Sequence, residues 1–299
     1  MAITIEKLAA HRSEVGGLPI ARALPVPQRR TIGAWCFLDH AGPARSEPGR
    51  GMRVAPHPHT GLQTFSWMME GEILHRDSLG TVQRLLPGQV NLMTAGSGIC
   101  HSEEAQTEDM HLAQLWIALP NSRRFGPATF EHHPVLPRFE RGGFAATLLV
   151  GEHAGLRAPP TVHSPLLGLD LLGEGPSAAA EFELRGDFEH GLMVTEGELL
   201  LELDDRAETL TPGGLLYLAP GATRITLRAQ GRARALLLGG APLAEEEKPL
   251  LWWNFVGRTP DEIKQAAADW NAGRGDFGTV TGFDGERLLA PPVPQLRPR

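Results

Sequence analysis

Hydrophobic positions along this chain come in short runs broken by glycine-containing turns, and where a run mixes with polar residues it alternates with a period of two. Between residues 31 and 119 the stretches TFSWMMEGEILHRD, TVQRLLPGQVNLMTAG and HLAQLWIALP read as strands, with bends at Glu70-Gly71 and Pro87-Gly88. In the last of them Leu112, Gln114 and Trp116 oppose Ala113, Leu115 and Ile117, the imperfect alternation of a strand buried on both faces. Residues 126–140 show no clear period and predict a connection. A second strand-rich block, 141–245, repeats the punctuation of the first. Glu196-Gly197-Glu198 matches Glu70-Gly71-Glu72, Pro212-Gly213 matches Pro87-Gly88, and the Gly213 to Gly221 interval equals that from Gly88 to Gly96. The pattern predicts a duplication: two tandem antiparallel β-barrels, one over 1–125 and one over 141–245.

The period changes once, in the segment 246–299. Thr259 reads as an N-cap, Pro260 as the first helical residue and Glu262 as the partner in a capping box. Ile263, Ala266, Ala267 and Trp270 then recur at helical spacing until Gly273. These signals predict one helix, 260–272, docked on the body of its own domain, with Trp252 and Trp253 anchoring the stretch before it.

Composition narrows the class. A chain of 299 residues, 41% hydrophobic and 21% charged, is that of an ordinary globular protein, and 35 Gly with 25 Pro suit many tight turns. A formal net charge of −7 argues against nucleic acid or an anionic membrane as partner. Cys36 and Cys100 are the only cysteines, so no disulfide framework and no cysteine zinc knuckle is expected. No apolar run reaches the roughly 18 residues of a membrane span, and MAITIEKLAAHRSEVGG lacks a charged-then-apolar leader, so the expected address is the cytoplasm. Nothing in the pattern demands a partner chain, and a monomer is expected.

The candidate chemistry sits in two short words. In VAPHPHTGLQTF, His57 and His59 are an i, i+2 pair, which an extended strand points to one side. In TAGSGICHSEE, His101 and Glu103 form another such pair after a Gly-rich turn. Together they offer three imidazoles and one carboxylate to a single transition-metal ion. An octahedral ion would keep two positions for substrate and dioxygen, whereas tetrahedral zinc would be filled. Aligned on the turn glycines, the four residues fall on Glu183, Arg185, Thr226 and Arg228, so one ion per chain is expected, in the first barrel. His75 reads as a solvent-exposed or hydrogen-bonded structural histidine, His40 with Asp39 as a local polar pair, and His132-His133 as solvated. His111 and Gln114 point to opposite faces, so at most one can support the centre. Phe65, Trp67, Met68 and Met69 read as core, with a pocket wall as the alternative.

The elements RALPVPQRRTIGAWCFLDHAGPA, PHPHTG, EGEILHRDSLG, LLPGQVNLMTAGSGICHSE, QLWIALP and LWWNFVGRTPDEIKQAAADW follow one another between about residues 20 and 272. In that order they resemble the pirin family of the cupin superfamily. The resemblance implies an all-β bicupin with a short C-terminal helix and a single iron in the N-terminal barrel, held by the residues matching His57, His59, His101 and Glu103. It implies either quercetin 2,3-dioxygenase activity or an iron-dependent partnership with a transcription factor or metabolic enzyme. Fe(II) is the expected metal, with Mn, Co, Ni, Cu and Zn as alternatives. As an enzyme the chain would take a small flavonol-like aromatic substrate and O2, with Glu103 as candidate general base. As a regulator it would use the extra positive charge of Fe(III) to bias a partner surface that the sequence does not mark. Cys100 stands where the family usually has an aliphatic residue, which leaves open redox sensitivity beside the metal.

Overall fold

Antiparallel strands dominate the computed structural model, which describes residues 3–175 and 177–296, and the α-helix among them spans Pro260–Asn271. The chain divides into two compact units, and neither is continuous in sequence. One comprises Glu14–Ile20, Ala41–Pro134 and the chain from Leu243 on, and the other the residues up to Ser13, Ala21–His40 and Val135–Pro242.

In the first unit, strand Ile99–Ala118 pairs with Leu62–Asp77 along most of its length and with Arg53–His59 near its start. Strand Leu62–Asp77 also pairs with Val82–Leu85 and Val90–Thr94, and the latter pairs with Thr129–His133. The long strand bends at Gly71, whose φ of +89° only glycine adopts cheaply; a Cβ there would lie 2.1 Å from the Asp109 carbonyl oxygen. Met68 packs with Leu112, Ile73 and Leu85 in a buried cluster, and Phe65, Trp67 and Met69 are buried too, as core residues should be.

The other unit holds a seven-stranded sheet that runs from Ile5–Ala9 through Gly214–Leu218, Glu189–Glu196, Ala233–Gly240, Leu166–Gly173 and Phe144–Val150 to Arg138–Arg141. A four-stranded sheet, Ala178–Glu183, Arg224–Ala229, Leu199–Leu203 and Arg206–Leu210, completes it around an apolar core. The duplication is visible strand for strand. Leu62–Asp77 corresponds to Glu189–Glu196 plus Leu199–Leu203, and Ile99–Ala118 to Arg224–Ala229 plus Ala233–Gly240, each long strand of one repeat being two shorter ones in the other. The turn-based alignment is one residue out of phase inside these strands. Glu183, Arg185 and Arg228 are exposed, and the core positions beside them are Phe182, Leu184, Ile225 and Leu227.

The units differ from the expected division into 1–125, 126–140 and 141–245 because strand pairing is non-local. Ile5–Ala9 pairs with Gly214–Leu218, Ile5 opposite Leu218, so the first residues join the later repeat. Within 126–140, Thr129–His133 is captured by the edge of Val90–Thr94, and Arg138–Arg141 by Phe144–Val150. That capture changes the account of His132 and His133. Both are half-buried, and their rings lie 2.8 Å from Asn91 Oδ1 and 2.9 Å from Glu131 Oε2. Asp39 is bonded by Arg22, whose guanidinium donates to it at 2.8 and 2.7 Å.

The helix is capped as its sequence requires, with the Thr259 hydroxyl accepting from Glu262 N at 3.3 Å. Glu262 does not close the reciprocal half of the box; it accepts from Arg258 N and from Arg124. Ile263, Ala267 and Trp270 bury one stripe against Phe255, Phe277 and Cys100, with Trp252 and Trp253 packed alongside. No helix among the described residues is long and apolar enough to cross a membrane.

Candidate metal centre

The word PHPH lies on an edge strand, and that location makes its prolines tolerable. Arg53–His59 pairs only with Ile99–Ala118, so the N–H groups that Pro56 and Pro58 lack are not missed by a second neighbour. Its outer edge is held by the C-terminal segment: Leu288 N donates to Pro56 O at 2.8 Å and Val256 N to Thr60 O at 3.0 Å. Gly61 ends the strand at φ +69°, where a Cβ would lie 2.1 Å from Val256 O. A register shift between Val54 and His57 sets His57 directly opposite His101 while Val54 opposes Glu103. Such a bulge re-aims side chains locally.

The result is a buried cluster. His57, His59 and His101 offer ligand atoms within 4.8 Å of one another, and so do His75, His101 and Glu103. The four residues singled out in the sequence are thus gathered on one sheet face, but as two sets that share His101. Glu103 keeps company with His75, its cross-strand partner on Leu62–Asp77. Trp116 stands edge-on to His59 at 5.1 Å between ring centres, and Phe130 stacks on His75 at 4.6 Å. Gln114 is engaged elsewhere, accepting from Ser66 Oγ at 2.8 Å.

Hydrogen bonding fixes which nitrogen each imidazole presents. A main-chain carbonyl can only accept, so His57 Nδ1, 2.9 Å from Ala55 O, and His59 Nδ1, 3.2 Å from Asn254 O, both carry their protons. Their Nε2 lone pairs are left for the cluster. His101 Nδ1 lies 3.3 Å from His75 Nδ1, and its Nε2 lies 3.0 Å from His59 Nε2. At that distance the two nitrogens either share the proton of one neutral imidazole or converge on a cation.

Burial keeps all three imidazoles neutral. It pushes His57 down to about 4 and His59 and His101 well below the usual histidine range, with neighbouring imidazoles adding to the effect. A metal cation can take the place of that shared proton. Metal–imidazole bonds of about 2.1 Å at a right angle put neighbouring nitrogens about 3.0 Å apart, against about 3.4 Å at the tetrahedral angle. The observed separation between His59 and His101 fits the right-angled case, and neutral imidazoles with a carboxylate close by are a donor set suited to iron and its neighbours. Burial also raises the Glu103 carboxyl above its ordinary range, against the pull of nearby His75.

The Ala55 and Asn254 carbonyls and Asp77 escaped the sequence, and His75 was read there only as a solvent-exposed or hydrogen-bonded structural histidine. The Ala55 and Asn254 carbonyls are main-chain atoms without a side-chain signature. His75 and Asp77, by contrast, form a third i, i+2 pair of ligand-type residues, a signal that was present. Cys100 faces the other way from His101, as adjacent strand residues must. Its thiol packs in the helix cluster, donates to Gly278 O at 3.6 Å, and is pushed up to about 11 by burial. A thiol so held is poor in thiolate at neutral pH.

Comparison with known proteins identifies the family and similar folds. A family model described as Pirin matches residues 17–117, and one described as Pirin C-terminal cupin domain matches residues 175–276. A Pseudomonas aeruginosa protein named "Putative quercetin 2,3-dioxygenase" is 48% identical over 293 residues, covering 97% of this chain and 91% of that one. A Caulobacter vibrioides "Pirin-like protein" is 38% identical over 276 residues, 89% of this chain and 92% of its own. The crystal structure of a quercetin 2,3-dioxygenase from Acinetobacter baumannii has a TM-score of 0.93 at 44% identity, covering 98% of this chain and 97% of that one.

Proposed function

The chain belongs to the pirin family of two-barrel cupins, and from that premise we propose that it is a mononuclear metal-dependent oxygenase of the quercetin 2,3-dioxygenase type. Its substrates in this reading are O2 and flavonols or similar enolic and phenolic compounds. The metal is Fe(II), held by His57, His59, His101 and Glu103. The observation that carries the reading is the cluster of three buried imidazoles with ligand atoms within 4.8 Å of one another, two of them with Nδ1 turned to main-chain carbonyls and so with Nε2 left for a common centre. The names of the similar Pseudomonas and Acinetobacter proteins support the reaction class.

When bound, such an ion supplies a Lewis-acidic, redox-active position at which an enolate and dioxygen can meet. The protein's own groups do the rest. Glu103 takes the proton of the substrate's 3-hydroxyl at a carboxylate oxygen. Trp116 and Phe130 flank the histidines and keep water from the cluster. The fixed Nδ1 contacts hold the imidazole planes, so no reorganisation is needed when charge develops.

The test is direct. Protein loaded anaerobically with Fe(II), mixed with quercetin and then exposed to air, should consume dioxygen and bleach the flavonol absorption, and His57→Ala should do neither while keeping its fold. Absence of oxygen uptake by fully iron-loaded wild-type protein would remove the oxygenase reading, and elemental analysis of protein purified without a chelating tag decides the metal.

A further inference from the structure

We propose that Asp77 and His75 are positioning residues that set the tautomer of His101, so that His101 presents Nε2 to the metal; this rests on the metal-centre reading above. The chain of contacts runs across three neighbouring groups. Asp77 Oδ1 accepts from the N–H groups of Leu79 and Thr81 at 2.9 and 3.0 Å, which pins the carboxylate in the turn that follows its strand. Its other oxygen, Oδ2, lies 3.2 Å from His75 Nε2, and His75 Nδ1 lies 3.3 Å from His101 Nδ1. All three side chains are buried, and Asp77 lies directly opposite His101 in the strand register.

Each proton follows from the one before. A carboxylate that already takes two main-chain N–H donors is an acceptor at its remaining oxygen, so the His75 proton sits on Nε2. With His101 Nε2 turned to the metal position, the His101 proton sits on Nδ1, and His75 Nδ1, 3.3 Å away, accepts it. That leaves His101 Nε2 unprotonated, facing His59 Nε2 at 3.0 Å. Phe130, stacked on His75, holds the middle ring in plane. The other two histidines take their tautomers from main-chain carbonyls, which no substitution can invert. His101 alone depends on a side chain whose replacement can reverse the whole chain of donors.

Asp77→Asn is the decisive variant. Its carbonyl oxygen can still accept from Leu79 and Thr81, so the turn is kept, but its amide now donates to His75 Nε2. The His75 proton moves to Nδ1, and His101 must answer by moving its proton to Nε2, where it blocks the metal. His75→Gln is the conservative control, since a carbonyl can accept from His101 while the amide donates to Asp77. The first readout needs no metal: imidazole 1H–15N spectra of histidine-labelled apoprotein should show His101 with its proton on Nδ1 in wild type and His75→Gln, and on Nε2 in Asp77→Asn. The second is Co(II) affinity by chelator competition, expected to fall about 10–100-fold in Asp77→Asn and to stay within a few-fold of wild type in His75→Gln.

Wild-type His101 protonated on Nε2, or an Asp77→Asn protein with wild-type tautomer and affinity, overturns the proposal. So does loss of one imidazole around Co(II) in the X-ray absorption of His75→Gln, which would make His75 a ligand. If wild type and His57→Ala take up Co(II) equally, the metal-centre reading fails instead, and the apoprotein spectra still decide the positioning role.

Discussion

His190 gives the sharpest quantitative test of how burial governs histidine chemistry in this fold. It lies on Glu189–Glu196, fully buried, with neither ring nitrogen hydrogen-bonded, and burial lowers its pKa to about 4. Opposite it stands Gly239, where an added Cβ would come within 3.0 Å of the ring, so the imidazole fills space that a larger residue there would deny. Consider His190→Leu, which keeps an apolar side chain beside Leu167 and removes two unpartnered nitrogens. At pH 8 both folded and unfolded imidazoles are neutral, and the variant should be more stable by about 1 kcal/mol or more, the cost of a buried unsatisfied polar group.

As the pH falls below the ordinary histidine value of 6.5, the unfolded wild-type chain binds a proton that the folded chain refuses until about pH 4. Wild-type stability therefore drops with falling pH across that window. At pH 5 the unfolded imidazole is almost wholly protonated and the folded one about a tenth, which at 1.36 kcal/mol per pKa unit is a loss of about 2 kcal/mol relative to pH 8. The variant has no such group, so its advantage should widen from about 1 to about 3 kcal/mol between pH 8 and pH 5. Equilibrium urea unfolding at the two pH values measures this, with hydrogen exchange of residues 189–196 as a local check. An advantage that stays constant over that interval would refute the reasoning.

Other outcomes follow from the same structure. Glu103→Gln should keep the fold and some metal yet lose most turnover; an unchanged rate with metal retained removes the base assignment. Metal present at a hundred times its dissociation constant adds about 2.7 kcal/mol to stability, so a chelator should lower the melting temperature of wild type and leave that of His57→Ala unmoved. Cys100, held near 11, is about 0.1% thiolate at pH 8, so iodoacetamide should modify it only in denaturant, as peptide mass spectrometry would show. Trp270→Ala empties a fully buried site and removes the 2.7 Å bond from its indole to Leu288 O; a loss of about 3–5 kcal/mol is expected in urea unfolding.

How much of this was legible in advance depends on the range of the physics. His57 with His59, and His101 with Glu103, are readable because strand alternation is a local rule that places i, i+2 residues on one face. The helix was readable for the same reason, its Thr259 cap and its stripe lying within a dozen residues. Glu262 shows the limit even there: Arg124, far away in sequence, competes for its carboxylate and leaves the box half made. Ile5 carries no mark that it will pair with Leu218, nor His132 that Asn91 will bond it. Those partners are chosen by the folded sheet. The turn alignment found the duplication but slipped by one inside the strands, because glycines mark bends while a single residue of offset exchanges the two faces of a strand.

The Asn254 carbonyl that fixes His59, and the Leu288 amide that holds Pro56, come from chain made after the later repeat. A ribosome therefore releases these braces of the histidine cage only after both repeats have been translated. A prematurely stopped product ending before Asn254 would carry every histidine of the cage while lacking the carbonyl that orients His59.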